Sequence, residues 1–399
     1  MTIAWIDLGT DAVVMHVWFW ITALLPLVWL KRHVDISRGR DEPILSDAEA
    51  HPLDDEPPLP PLSMLVAGKD EEANIGACIE GLLRQRHPAL QIIAVNDRSG
   101  DRTGEILDAF AAADPRVTAL HVRELPAGWF GKNNAMRSGV TAARADWLAF
   151  TDADCQFHSP HLLEAAMRFA MRNGVEFLSV LPRIDAGSFW ERVVQPAASG
   201  MMLFWNPPHR VNSPKSSCAY ANGAFMLMSR DAYQRLGGHE AVKATLNEDM
   251  HFARRAKQVG VRLRVIRGGD LFSVRMYTGL GQIWRGWSRI FYGSFGTFPR
   301  LLASALVLVV ASMSPYLTLI ASPLTGSAAG PIGIAALAAI AAQQSVLWRF
   351  YPICGVPAPW AMTYPIGTTL VTAMVLNAMT KLGGLTKTSW RGTVYRGGS

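Results

Sequence analysis

The segment WLAFTDADCQFHSP, residues 147–160, runs from an apolar stretch straight into two aspartates one residue apart, Asp152 and Asp154. A short apolar run bounded by turn-forming residues reads as a buried strand. Carboxylates at the carboxyl end of such a strand stand where α/β sheets bind their ligands. Two acids at i and i+2 can share one divalent cation when a phosphate supplies further oxygens. The same letters also fit a nucleophile on a strand end, or a plain turn.

The neighbouring sequence supplies the sheet. SMLVAG (63–68), QIIAVND (91–97) and VTALHV (117–122) are further apolar runs of strand length. Between them, EANIGACIEGLLRQ (72–85), TGEILDAFAAA (103–113) and KNNAMRSGVTAAR (132–144) have helical patterning. Strand and helix in turn predict an α/β domain over residues 62–270, with a mostly parallel sheet covered on both faces. The D-x-D pair then follows the fourth strand. Phosphatases of the haloacid dehalogenase type carry theirs on the first strand and need a later acidic pair. Here Asp270, in GGDLFSV, has no acid four residues on, so the nucleophile reading loses its support.

Other polar residues close the same strands. Asp70, Glu71 and Glu72 follow the first strand, and Asp97 ends the second, where a carboxylate can accept from a ribose or a base edge. Lys132 opens a helix after Gly131 and can meet a phosphate as a point charge. Glu248 and Asp249 head a helix, where acids suit the dipole; Asp249 can also serve as a general base toward a hydroxyl. The chain lacks G-x-G-x-x-G and G-x-x-x-x-G-K-[ST], which leaves no dinucleotide fold or P-loop to propose. His158 and His161 flank a Ser-Pro break and make a poor zinc pair. Four scattered cysteines suggest neither a disulfide framework nor a zinc site.

Composition adds a membrane. Half of the 399 residues are hydrophobic, only 18% are charged, and there are 13 tryptophans. The net charge of +6 is dispersed, which argues against nucleic acid and suits residues facing anionic lipid. Residues 12–30 carry no charge and are long enough for a spanning helix. Acids precede them and Lys31, Arg32, Arg38 and Arg40 follow, so the remainder is expected in the cytoplasm. The expected layout is a transmembrane helix (1–31), a linker (32–61), the catalytic domain (62–270), an interfacial amphipathic helix (271–298), transmembrane helices (299–381) and a cytoplasmic tail (382–399). The linker's HPLDDEPPLPPL reads as too polar to pack and too proline-rich for helix. In the interfacial helix, Leu280, Ile283, Trp284, Trp287, Ile290 and Phe291 share one face, with Gln282, Arg285 and Arg289 opposite. Of three apolar segments after it (301–321, 331–348 and 358–380), the middle one holds Gln343 and Gln344. It is expected to be re-entrant or to span incompletely, because three full spans would put the basic tail outside.

Taken in order, these pieces resemble a membrane-bound family 2 glycosyltransferase with the GT-A fold. The motifs that carry the likeness are Glu71, V-x-D at Asp97, G-K at Lys132, D-x-D at Asp152/Asp154, E-D at Glu248/Asp249, and Q-I-W-R-G-W at Gln282–Trp287. ANGAFMLMS, RMYTGL and the terminal SWRGTVY are similar to the branch of hydroxycarotenoid glucosyltransferases and hopanoid-associated glycosyltransferases. The resemblance implies Glu71 and Asp97 at the nucleoside, Lys132 at the nucleotide or its phosphates, and Asp154 with Asp152 on Mg2+ or Mn2+. It further implies Asp249, with Glu248, as the base, and Gln282, Arg285 and Trp287 against diphosphate and acceptor. The implied reaction is inverting transfer of one hexose, glucose by expectation, from a nucleotide-diphosphate sugar such as a UDP-sugar to a lipid hydroxyl. The implied setting is the cell inner membrane, multi-pass, with the catalytic domain in the cytoplasm. Two departures stand out. Asn96 replaces the first acid of the usual D-D pair, which motivates a non-catalytic sugar-nucleotide-binding alternative. Gly286 separates Arg285 from Trp287 where processive polysaccharide synthases, the other alternative, have them adjacent.

Overall fold

The computed structural model describes residues 10–322, 330–383, 388–390 and 393–395. The long helix α1 (Thr10–Arg40) precedes β1 (Leu62–Gly68), α2 (Ile75–Leu83), β2 (Leu90–Asp97), α3 (Thr103–Ala113), β3 (Val117–Val122), α4 (Gly131–Ala142) and β4 (Trp147–Asp152). Next come β5 (Cys155–Phe157), α5 (Leu162–Arg172), β6 (Phe177–Leu181), β7 (Arg183–Ile184), α6 (Phe189–Trp205), α7 (Pro208–Val211), β8 (Phe225–Ser229), α8 (Arg230–Arg235), α9 (Glu248–Val259), β9 (Leu263–Arg267) and β10 (Phe272–Val274). The chain then turns wholly helical through α10 (Leu280–Phe295), α11 (Phe298–Val307), α12 (Ser314–Ala321), α13 (Pro331–Phe350) and α14 (Tyr364–Leu382).

Seven strands form one sheet in the order β3-β2-β1-β4-β8-β6-β9. Every pairing is parallel except those of β8, which runs against both β4 and β6. Alternation along the strands feeds two cores. Met64 and Val66 of β1, with Ile92 and Ala94 of β2, pack on one face. Leu65, Ile93, Val95 and Phe150 pack on the other. Both faces are therefore covered, as apolar runs without polar alternation require. Asp152 closes β4 and Asp154 stands in the turn before β5, which is tied down by antiparallel pairing to β10.

The segment expected to be a loose linker is packed. Its first part, through Arg40, continues α1. The Leu45 amide donates to the Arg267 carbonyl at 2.8 Å, and Leu45 and Leu59 are buried in the core. Glu56 bonds Arg168 and Arg172 of α5 at 2.9 and 2.8 Å, and Arg172 holds its carboxyl down at about 2. Proline excludes helix here, but an extended chain still buries leucines at intervals.

Two expectations about the helical part are corrected. The apolar face of α10 is not left open to lipid: Ile283, Trp287 and Phe291 are buried with Val193 and Val194 of α6 and Val371, Met374 and Val375 of α14. The segment expected to be re-entrant forms the unbroken 20-residue α13, long enough for a bilayer core. Its glutamines are used laterally, Gln343 donating to the Ser312 carbonyl at 3.2 Å and Gln344 to the Tyr316 hydroxyl at 2.8 Å. Among the described residues, three helices are long and apolar enough to cross a membrane: Val13–Arg40, Phe298–Ala321 and Pro331–Cys354. Helix α14 packs against α6, α10 and α11. Most of the expected tail, including Lys387, Arg391 and Arg396, lies outside the described residues.

Leu45→Ala removes a fully buried leucine and is expected to cost about 2–5 kcal/mol, read as a lower thermal-unfolding midpoint. An unchanged midpoint would mean that residues 41–61 are a free tether.

Candidate active site

The site grows from the Lys132 ammonium at the head of α4. It lies 2.5 Å from Asp152 Oδ1 and 2.6 Å from Glu248 Oε1, joining the end of β4 to the start of α9. Burial disfavours its charge, but the two carboxylates outweigh burial and hold its pKa well above the lysine value. Lys132, expected at the nucleotide or its phosphates, is here paired with two acids of the same cavity.

Beside this bridge stands Asp249. One of its oxygens accepts from the Gly223 amide at 2.9 Å and the other from the Met250 amide at 2.7 Å. Burial, then Glu248, pushes its pKa up to about 7. Helix α9 is aimed by Asn247, whose amide donates to the Ile290 carbonyl and Ser294 hydroxyl of α10 at 3.2 and 2.8 Å. The acidic pair therefore sits where the sheet domain meets the helical part.

On the other side of Lys132, burial followed by Asp152 and Glu71 raises Asp154 to about 7. A carboxyl raised in the fold favours folding while protonated. Its contribution is complete below about pH 4 and is lost as pH rises through about 7. At neutral pH this corner therefore favours a proton or another cation. Among the described residues no three His, Cys, Asp or Glu side chains converge on one point. Asp152 and Asp154 suit a cation that takes its remaining ligands from a substrate, as Mg2+ does with phosphates. His158 and His161 are spoken for, by Ser273 at 2.8 Å and Glu164 at 3.1 Å.

Asp97 is held by its own neighbour, Arg98 donating to both carboxylate oxygens at 2.8 and 3.0 Å. Arg98 and Asp70 are non-glycine residues in the left-handed region, with φ of 56° and 54°; such strain gathers at ligand sites. The two loops are tied together, the Gly100 amide donating to Asp70 at 2.8 Å. Glu71 accepts from Asn74 at 2.9 Å. The departure at Asn96 is structural: its side chain shapes this turn, accepting from the Ser99 amide at 3.2 Å and meeting His121 at 3.1 Å.

Glu71, Asp97, Lys132, Asp152, Asp154, Glu248, Asp249, Gln282, Arg285 and Trp287 all line one cavity of 1380 Å3. Gln282 and Arg285 are exposed at its rim. Trp287 lies deeper, in the apolar core with Phe291, its indole NH 3.4 Å from Gln195. Three residues escaped the sequence reading. Gly223 brings its backbone to the site: a Cβ there would lie 3.2 Å from the Lys132 ammonium. The arginine beside Asp97 is another. Tyr277 crosses Gly286 so closely that no Cβ fits, and its buried hydroxyl has no hydrogen-bond partner among the described residues. The glycine between Arg285 and Trp287 is thus explained by a tyrosine nine residues upstream in the same cavity wall.

A seven-stranded, mostly parallel sheet with carboxylates gathered at its strand ends defines a GT-A domain, the nucleotide-diphospho-sugar transferase fold. Residues 63–237 match the family described as Glycosyl transferase family 2 and form a domain of that family. The chain is similar to 4,4'-diaponeurosporenoate glycosyltransferase of Staphylococcus aureus strain MRSA252, 24% identical over 261 residues, covering 65% of this chain and 68% of the relative. The same enzyme of strain USA300 matches with the same identity and coverage. Among solved structures, the mannosyltransferase PcManGT from Pyrobaculum calidifontis, in complex with GDP-Man and Mn2+, shares the fold. Its TM-score is 0.57 at 17% identity, over 91% of this chain and 99% of that one.

Lys132→Met strands Asp152 and Glu248 beside each other and is expected to cost about 3–5 kcal/mol at pH 8. The deficit should shrink in acid, where the carboxylates can take up protons. Denaturant unfolding at pH 8 and pH 5 checks this; equal deficits would contradict the bridge.

Proposed function

We propose that this protein transfers a single hexose, with inversion, from a nucleotide-diphosphate sugar to the hydroxyl of a membrane lipid. The observation that carries the reading is the placement of Asp249, raised to about 7 and fixed by two backbone amides, in the same cavity as the D-x-D pair. A base poised near the operating pH can accept a hydroxyl proton efficiently. Once deprotonated by Asp249, the acceptor oxygen attacks the anomeric carbon from the face opposite the diphosphate. The carbon–oxygen bond to the diphosphate breaks, and configuration inverts.

Asp154 with Asp152 would hold Mg2+ or Mn2+, which when bound neutralises charge on the leaving diphosphate. Glu71, Asp97 and Arg98 face the nucleoside, with a UDP-sugar as the expected donor. Lys132 keeps the metal-side and base-side acids at a fixed spacing. Gln282 and Arg285 meet diphosphate and acceptor at the cavity rim. The carotenoid substrate named for the Staphylococcus relatives, and the apolar helices beside the cavity, both favour a lipid acceptor over a growing polysaccharide.

The three apolar helices support a proposed topology in which α1 enters the cytoplasm and the two later spans return the chain to it. The catalytic domain and basic tail then share one side of the inner membrane, in keeping with the positive-inside tendency.

Asp249→Asn is expected to lower transfer by about 10²–10⁴ while leaving donor binding intact. In the unaltered protein, kcat/KM should rise with pH through about 7 as Asp249 loses its proton. Full activity of the variant would remove the base, and full activity in chelator would remove the metal. Labelling of a Ser399→Cys variant only from outside the cell would overturn the topology.

A further inference from the structure

The cavity does not end at the carboxylates. It continues into a gap between α1, α6, α11 and α13, and its full 1380 Å3 exceeds the roughly 300–1,000 Å3 of a usual small-molecule site. The far walls are apolar: Val28 and Trp29 of α1, Leu308 and Ala311, and Val346 and Leu347 of α13. They belong to the three helices apolar enough to cross a membrane. Room for the gap comes from two local features. On α6 the lining residues Pro196, Ala197, Ser199 and Gly200 are small, and the ring of Phe350 lies across from Gly200. Between α11 and α12, Leu308–Met313 is a π-helical turn, an irregularity common at functional sites.

The gap also has a mouth. Val28 lines it yet is 43% exposed on the outer side of α1. At the inner end stands Asp249, the base of the reading above, with the Lys132–Glu248 pair beside it.

Resting on the lipid-acceptor reading above, we propose that this gap sheathes the acceptor's tail. One elongated apolar chain enters from the bilayer past Val28, lies between α6 and the π-helical turn, and presents a neutral hydroxyl to Asp249. The acceptor is thus taken up into the protein and not sampled at the membrane surface.

The probe is hexadecanol carrying a photoreactive diazirine and an alkyne, in nanodiscs of phosphatidylethanolamine and phosphatidylglycerol. After irradiation, adducts are mapped by mass spectrometry. Expected are adducts within Phe189–Trp205 and Leu308–Met313, at least fivefold weaker in Gly200→Leu and Ala311→Phe. Leu317→Phe, on the exposed side of α12, should leave them unchanged. Adducts confined to outward residues such as Leu317 and Ile320, equal in every protein, overturn the proposal. The wild-type map decides even if a variant fails to fold. UDP-glucose and GDP-mannose binding, titrated on the same samples, tests the other reading separately. Gap adducts without donor binding would refute glycosyl transfer and leave the tail site standing; donor binding without gap adducts would do the reverse.

Discussion

The arrangement depends on one ammonium group placed between two carboxylates. Lys132 joins Asp152, at the end of a central strand, to Glu248, at the start of α9. Without it, five acids (Glu71, Asp152, Asp154, Glu248 and Asp249) would crowd one partly desolvated cavity. Like charges in that setting either take protons or push apart. The lysine removes enough repulsion to let the D-x-D turn and the E-D pair share a site, while leaving Asp154 and Asp249 with unmet demand for positive charge. That residual demand is the chemical character of the site: one acid suited to a cation, the other suited to a proton.

The second constraint is where the acids lie relative to the helical part. Asn247 ties the head of α9 to α10, and α10 is buried against α6 and α14. Because Asp249 is anchored to elements that themselves reach the apolar helices, its distance from those helices is set by packing and not by a flexible linker. The region before β1 works the same way, since Leu45, Glu56 and Leu59 fasten it to the sheet domain. A GT-A domain on a tether would move independently of its apolar helices; here the two parts pack together with a cavity running between them.

Much of this was legible in the residues. Strands such as 91–97 and helices such as 103–113 announce themselves by period and by the residues that bound them. The acids at strand ends are legible too, because an α/β sheet exposes those ends together. What could not be read depends on partners distant in sequence. Nothing local says that Lys132 will be claimed by Asp152 and Glu248, or that β8 will run against its neighbours. Gly223 contributes an amide, which leaves no trace in side-chain chemistry. The proline-rich stretch misleads because its average polarity is high, while burial is decided by individual leucines. The apolar face of α10 was read correctly as apolar, but α14 covers it, and no pattern within α10 could reveal that. Likewise Gln343 and Gln344 look unsuited to a bilayer until their bonds to a neighbouring helix are counted.

The central claim is single sugar transfer from a nucleotide sugar to a lipid. Membranes containing the protein, supplied in turn with labelled nucleotide sugars and then extracted and examined by mass spectrometry, test it most directly. The account predicts one labelled lipid bearing one hexose, formed with one preferred donor and absent from Asp249→Asn membranes. Label in a ladder of polymer, or no labelled product with any donor, would contradict it.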